Sequence, residues 1–404
     1  METLRDLARK SGRTVICTIH QPSSEIYETF DKLYLMVDGR IIYHGPKNEA
    51  VEHFSEIGFT CPKFANPADY FMMRVMQFSG SQEDVERVDR LVEARKRKEI
   101  SPPEHGAPPD ASKMRAARVS AFVQLNVLLR RSFLNYIRLP LNARAKLFQS
   151  VFIACFVGIL YVPLGNDQTA IRDRSSALFI AVLNVTMNAV SGVVLTFSSE
   201  KSIVLRETAN KMYGPTVYFF SKLLAEFPFE LLFPSLYAIL SFFIVGFNRT
   251  ARTFFFYLLT VLIANHVGRG MGSIVAAAAP NGDAAVSLFP IVIIPFVLFS
   301  GLFIAPENIP VYFRWIADIS PFRYGYEAFL TNEFKGITFR CKEDQFLIVN
   351  NQKVCPMTKG EQFLALRGLE PSDFASRIGA MLAIWVATTA AAFLVLRFKS
   401  KNRA

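Results

Sequence analysis

Residues 284–305 run for 22 positions without a charged side chain, and residues 378–396 run for 19. At a rise of about 1.5 Å per residue, each run as a helix is comparable to the ~30 Å hydrocarbon core of a bilayer. Inside that core the backbone must satisfy its own hydrogen bonds, which favours helices. The chain is therefore expected to be mainly α and polytopic. Further apolar stretches extend the pattern to six spans, near 146–163, 175–199, 216–246, 254–279, 284–305 and 373–397. The third is long and contains Pro228 and Pro234, so it is expected to kink or tilt. Apolar residues make up 51% of the 404 and are concentrated after residue 146, which excludes one soluble domain.

The net charge of +11 is placed at span ends rather than on a soluble patch. Between residues 111 and 146 there are eight Lys or Arg and no Asp or Glu, and Arg397, Lys399, Lys401 and Arg403 follow the last span. Basic residues at span ends mark the cytoplasmic side and favour anionic lipid headgroups. Nucleic acid is accordingly not an expected partner, and membrane lipids are. Residues 1–13 are charged and amphipathic with no apolar centre, so no signal peptide is read there. Six spans then return both termini to the cytoplasm. Arg249 and Arg252, in a loop assigned outside, breach the charge rule. Asn248-Arg249-Thr250 in the same loop is an acceptor sequon, expected to stay unmodified because it abuts the membrane.

Residues 1–76 read as αβαββα. A helix over 2–10 is followed by an apolar run at 14–19 suited to a buried parallel strand, which delivers His20 to its carboxyl edge. Ser23 or Ser24 caps a short helix, and residues 32–37 turn at Asp38-Gly39 into 40–44, a hairpin signature. Helices over 48–57 and from Pro67 complete the region. Residues 77–118 carry a charged helix near 83–99 and then paired prolines, a linker composition. Residues 119–137 are apolar at helical spacing, with Arg130 and Arg131 opposite, which suits an interfacial helix or a packed soluble one.

Two intramembrane charges stand out by depth. Arg269 lies about ten residues, roughly 15 Å, from the inner end of the fourth span, and Glu226 reaches a similar depth in the third. An Arg269–Glu226 ion pair locking these spans, with His266 nearby, is one reading; Arg269 facing a wet cavity is the other. Asn184, Asn188 and Asn265 could line a path, but interhelical hydrogen bonding is favoured for them. Cys341 and Cys355 fall in the long outside segment, where they could form a disulfide closing about 15 residues or remain free thiols.

The wording TIHQPSSEIYETFDKLYLMVDGRIIYHGP at 18–46 resembles the switch-histidine region of ABC-transporter nucleotide-binding domains, in the form found in the G subfamily, the white/pigment-type half transporters. The resemblance implies that His20 is the switch histidine reaching the γ-phosphate, and that ATP and Mg²⁺ are the cofactors. A neutral imidazole suits that task, since it can donate one hydrogen bond and accept another. No Gly-x-x-x-x-Gly-Lys-[Ser/Thr] loop occurs in the 404 residues, nor the signature or Walker B elements. Residues 1–76 are thus expected to be the C-terminal α/β remnant of a P-loop nucleotide-binding domain. This chain alone is expected not to hydrolyse ATP, and no metal site is expected in it.

Two further stretches carry the resemblance. SEKSIVLRETANKMYGPTVYFFSKLLAEFPFEL at 199–231 is similar to the family's connection between its second and third spans, which implies that Glu207 lies on a short coupling helix. SGLFIAPENIPVYFRWIADISPFRYGYEAFLTNEFKG at 300–336 is similar to the region after the fifth span. It implies that Leu302 and Phe303 form an apolar plug below the outer exit, with Val297, Phe296 and Ile293 as cavity walls. Cys341 and Cys355 match the family's loop disulfide. Residues 119–404 are then an ABC-2 type transmembrane domain. The function implied is ATP-dependent export of lipids, sterols or hydrophobic compounds by a homo- or heterodimer of half transporters, at the plasma membrane or an internal one. The chain is expected to be N-terminally truncated. The alternative is a non-catalytic membrane subunit that dimerises with a complete half transporter and regulates it.

Overall fold

The computed structural model describes residues 1–63, 65–98, 119–138, 140–162, 164–304, 308–349 and 352–401, which fall into two units, Met1–Ala117 and Arg118–Ala404. In the first unit, α1 (Glu2–Ser11) buries none of its side chains. α2 (Ser24–Glu28) starts where the Ser23 hydroxyl accepts from the Ile26 N–H at 3.4 Å. Asp38 and Gly39 take positive φ of 47° and 71°, the turn geometry that matches the twist of two flanking strands. It closes β1 (Lys32–Val37) antiparallel onto β2 (Arg40–Pro46).

Residues 14–19 are not a strand. They join no ladder, and Ile16 is 89% exposed. A parallel strand takes its hydrogen bonds and its cover from segments distant in sequence. Among the described residues of this unit the only sheet is the β1–β2 hairpin. That hairpin buries Leu33, Val37, Ile42 and Tyr43 against Ala50 and Phe54 of α3 (Lys47–Glu56). α4 (Pro67–Tyr70) is capped by Asn66 and runs into a wide turn over Phe71–Val75. α5 (Gln82–Lys98) adds Val88 and Leu91 to the same core, and Arg40 pairs with Asp89. Residues 82–98 therefore belong to this unit rather than to a linker; positions 99–118 of the expected linker lie outside the described residues.

The second unit is a helical bundle. α6 (Ala121–Arg138) buries Leu128 and exposes Phe122, Val123 and Val127. It is followed by α7 (Pro140–Tyr161), α8 (Gln168–Ala209), α9 (Pro215–Val245), α10 (Ala251–Ala278) and α11 (Gly282–Leu298). Among the described residues, five helical stretches are long and apolar enough to cross a membrane: Ala143–Tyr161, Gln168–Ser198, Pro215–Val245, Ala251–Ala278 and Phe374–Ser400. The expected fifth span, 284–305, stops earlier, because α11 ends at Leu298 and Gly301 takes φ 88° in the turn beyond it. Its 17 residues reach about 26 Å, short of the ~30 Å core. The expected second span and separate coupling helix are instead one continuous rod, the 42 residues of α8.

α10 is the hub, packed by α8, α9 and α15 (Phe374–Lys401). Gly268 and Gly272 set its distance to α8. A Cβ on them would stand 2.6 Å from the Thr186 carbonyl oxygen and 2.8 Å from that of Val190, so small residues let the backbones approach. The last carbonyls of α10 receive Lys201 and Lys399, cations that suit a helix C-terminus.

The described residues between α11 and α15, expected as one long segment outside the membrane, carry secondary structure of their own. They build α12 (Arg314–Asp318), α13 (Pro321–Phe334), the hairpin of β3 (Leu347–Val349) with β4 (Gln352–Val354), and α14 (Gly360–Leu366). α13 is almost wholly buried, with Phe322, Phe329 and Phe334 inside the bundle.

Candidate functional site

Lys222, Glu226 and Glu230 are spaced four apart on α9, which places them on one helix face. All three are buried, as is Arg269 of α10. Arg269 reaches Glu226 at 2.5 Å and Glu230 at 2.9 Å. Lys222 lies 3.4 Å from Glu226 and 2.6 Å from Glu200 of α8, and Lys146 of α7 lies 3.0 Å from Glu230. The Asn265 amide donates to Glu230 at 2.9 Å. Three cations thus meet three carboxylates across four helices. Desolvated charges are costly unless paired and hydrogen-bonded, and these are both. His266 stacks between Phe227 and Trp385 instead of joining the network. Glu230, Lys222, Lys146 and Glu200 were missed from the sequence, although the four-residue spacing on α9 was a visible signal.

Beside the network lies a cavity of about 50 Å³ lined by Lys146, Gln149, Asn184, Asn188, Glu230 and Asn265. Asn188 donates to Asn184 at 3.0 Å and accepts from Gln149 of α7 at 2.5 Å. The asparagines are therefore already hydrogen-bonded.

Glu207 sits near the end of α8 and receives Arg131 of α6 at 2.9 and 3.1 Å. The Tyr213 hydroxyl donates to it at 2.5 Å. Burial pushes the Glu207 carboxyl up, but the hydrogen bonds from Arg131 and Tyr213 outweigh it and hold the group below the usual carboxylate range.

At the opposite end of α8, Phe179 meets Phe303 edge-on with ring centroids 5.5 Å apart. Leu302, Phe296 and Val297 are half-buried against the bundle core, while Ile293 is fully buried within it and lines no surface. The Arg367 guanidinium donates to the Gly301 carbonyl at 2.8 Å, which holds the residue before the Leu302–Phe303 turn, and the Ser320 hydroxyl donates to the Phe296 carbonyl, near the end of α11, at 2.8 Å. Cys341 and Cys355 are joined, with Cα atoms 5.8 Å apart.

His20 is exposed at a bend beyond residues 14–19, which hold no regular structure. Asn66 anchors the chain beside it by donating to the Pro22 carbonyl at 2.8 Å. Among the described residues no three His, Cys, Asp or Glu side chains converge as metal ligands.

The bundle that carries this arrangement matches the model of a known family, ABC-2 type transporter, over residues 123–334. The chain belongs to the ABC-2 type transporter family. A second model described as ABC-2 type transporter matches residues 20–87. Among curated relatives, Protein white of Ceratitis capitata is 29% identical over 416 residues, covering 100% of this chain and 60% of that protein. ABC transporter G family member 7 of Arabidopsis thaliana is 30% identical, covering 84% of this chain and 49% of that one. The broad substrate specificity ATP-binding cassette transporter ABCG2 of Rattus norvegicus is 30% identical, with 90% and 60% covered. The ABC-2 type chain described here spans about three fifths of the length of the white proteins it matches.

Proposed function

We propose that this chain is the membrane half of a G-type ABC exporter for hydrophobic compounds, acting as a dimer with a second half transporter. The observation that carries the reading is the continuity of α8. One helix holds Phe179, in contact with Phe303, and Glu207, held by Arg131. The two positions lie 28 residues apart, about 42 Å along the axis. A rod of this kind passes a displacement at Glu207 to the Phe303 turn without an intervening hinge. Leu302 and Phe303 are assigned as the plug, Val297 and Phe296 as apolar walls of the path, and Glu207 as the coupling residue. The paired charges around Arg269 lock α9 to α10 so that the rod moves against a firm neighbour. Lipids and sterols are candidate cargo alongside other hydrophobic molecules.

ATP and Mg²⁺ are the energy source this reading implies, and the residues present do not fit them. His20 lies exposed on a segment that joins no sheet, and the 404 residues contain no phosphate loop. His20 is assigned a switch role only within a completed nucleotide-binding domain.

Co-expression with a complete white-type half transporter tests the proposal. The two chains are expected to co-purify, and hydrophobic compounds are expected to stimulate ATP hydrolysis by the complex. Separate elution of the two chains, with hydrolysis indifferent to such compounds, would refute it.

A further inference from the structure

The two arginines that breach the charge rule lie in the turn between α9 and α10 and at the start of α10. Arg252 borders a groove of about 490 Å³ formed where α9 ends and where α10 and α15 begin, closed on one side by the end of α13. Lys335, just after α13, enters the same groove. Neither cation forms an ion pair among the described residues. Arg252 lies over the Phe256 ring at 5.3 Å, and Phe256 stacks on Phe374 at 4.5 Å.

The nearby carboxylates are engaged elsewhere. Glu333 is bound to Arg174 at 2.5 Å and receives the Asn248 N–H at 3.0 Å. Glu361 accepts the Gly336 N–H at 2.8 Å, and Asp373 lies 3.7 Å from Arg377. The groove thus presents two cations without an ion-pair partner among the described residues, above an aromatic floor. Three membrane-length helices terminate at it, which is the level at which lipid headgroups lie.

We propose that this groove holds the phosphate of an anionic phospholipid headgroup, with Arg252 and Lys335 as its cations and the stacked Phe256 and Phe374 rings against the glycerol and acyl stem. A free phosphate shares the charge chemistry but has no use for the aromatic floor, so the assignment is to the lipid.

The test uses the full chain, purified from mixed vesicles of phosphatidylglycerol and phosphatidylcholine, with retained lipid quantified by mass spectrometry. Phosphatidylglycerol is expected to be enriched over phosphatidylcholine. In the Arg252→Ala/Lys335→Ala variant that enrichment is expected to fall by about tenfold to thirtyfold, the size expected for two basic residues near a charged lipid. Arg249→Ala, three residues earlier in the connection before α10, is expected to keep it, and so is Arg252→Lys/Lys335→Arg. Equal retention of both lipids by the unaltered chain would overturn the proposal, a result that does not depend on any variant folding. Enrichment unchanged in a monodisperse double variant would also overturn it. Displacement of phosphatidylglycerol by excess inorganic phosphate would overturn the lipid assignment in favour of a free anion.

Discussion

Arg269 on α10 meets Glu226 on α9 at 2.5 Å, with Glu230 completing the fork at 2.9 Å. Replacing Arg269 by Ala leaves Glu226 with Lys222 and Glu230 with Lys146, three carboxylates then facing two cations, and removing one partner of a buried pair costs roughly 3–5 kcal/mol. The reciprocal exchange Arg269→Glu with Glu226→Arg is expected to restore only part of the loss, because Glu230 still faces position 269. Thermal unfolding of the detergent-solubilised chain measures both. Full rescue by the exchange would show that Glu230 contributes nothing.

Gly272 packs so closely on α8 that a Cβ would stand 2.8 Å from the Val190 carbonyl oxygen. Neither backbone can yield cheaply, so Gly272→Val is expected to destabilise the bundle by about 1–3 kcal/mol, the range for overpacked cores. Gly214, which has open space around it, is the control position for substitution. Equal melting temperatures for Gly272→Val and Gly214→Ala would contradict the close approach.

In the first unit, Asp84 accepts from the Ser79 hydroxyl at 2.5 Å and from the Ser79 N–H at 2.8 Å. These bonds, with Ser81 and Arg87, lower its carboxyl from an ordinary 3.8 to about 2. A depressed folded value means that the stabilisation is complete above the unfolded value and is lost as pH falls through the folded one. Protection of the Ser79 amide in the full chain, its slowing relative to the intrinsic exchange rate at each pH, is therefore expected to hold down to about pH 4 and to fall between there and about pH 2. Asp84→Asn should flatten that profile; an unchanged profile would exclude Asp84 as its source.

The parts of the fold legible in the sequence were those whose cause is local. Asp38-Gly39 encodes its turn in two residues, and the apolar runs encode helices by length. Residues 14–19 misled because an apolar run looks the same whether or not strands flank it. α11 fell short of its expected span because the break near Gly301 lies inside an uncharged stretch, where hydropathy gives no warning. Arg269 and Glu226 stand out by depth along their helices, whereas Lys146 and Glu200 reach the network from α7 and α8 by a packing that no single-helix pattern encodes. The burial of α13 was hidden for a similar reason, since its aromatic residues read equally well as an outside loop.

In the proposed exporter α8 couples Glu207 to the apolar turn at Leu302 and Phe303. The most direct test of that coupling is uptake of a fluorescent hydrophobic compound into inside-out vesicles holding this chain and a complete half transporter. ATP-dependent uptake is expected with both chains present. Glu207→Ala in this chain should reduce uptake at least about tenfold, a loss of some 1.4 kcal/mol in coupling. The complex itself should stay intact, because a half-exposed ion pair adds only about 0–1 kcal/mol to stability. Uptake that is the same without this chain, or unaffected by Glu207→Ala, would rule out coupling through α8.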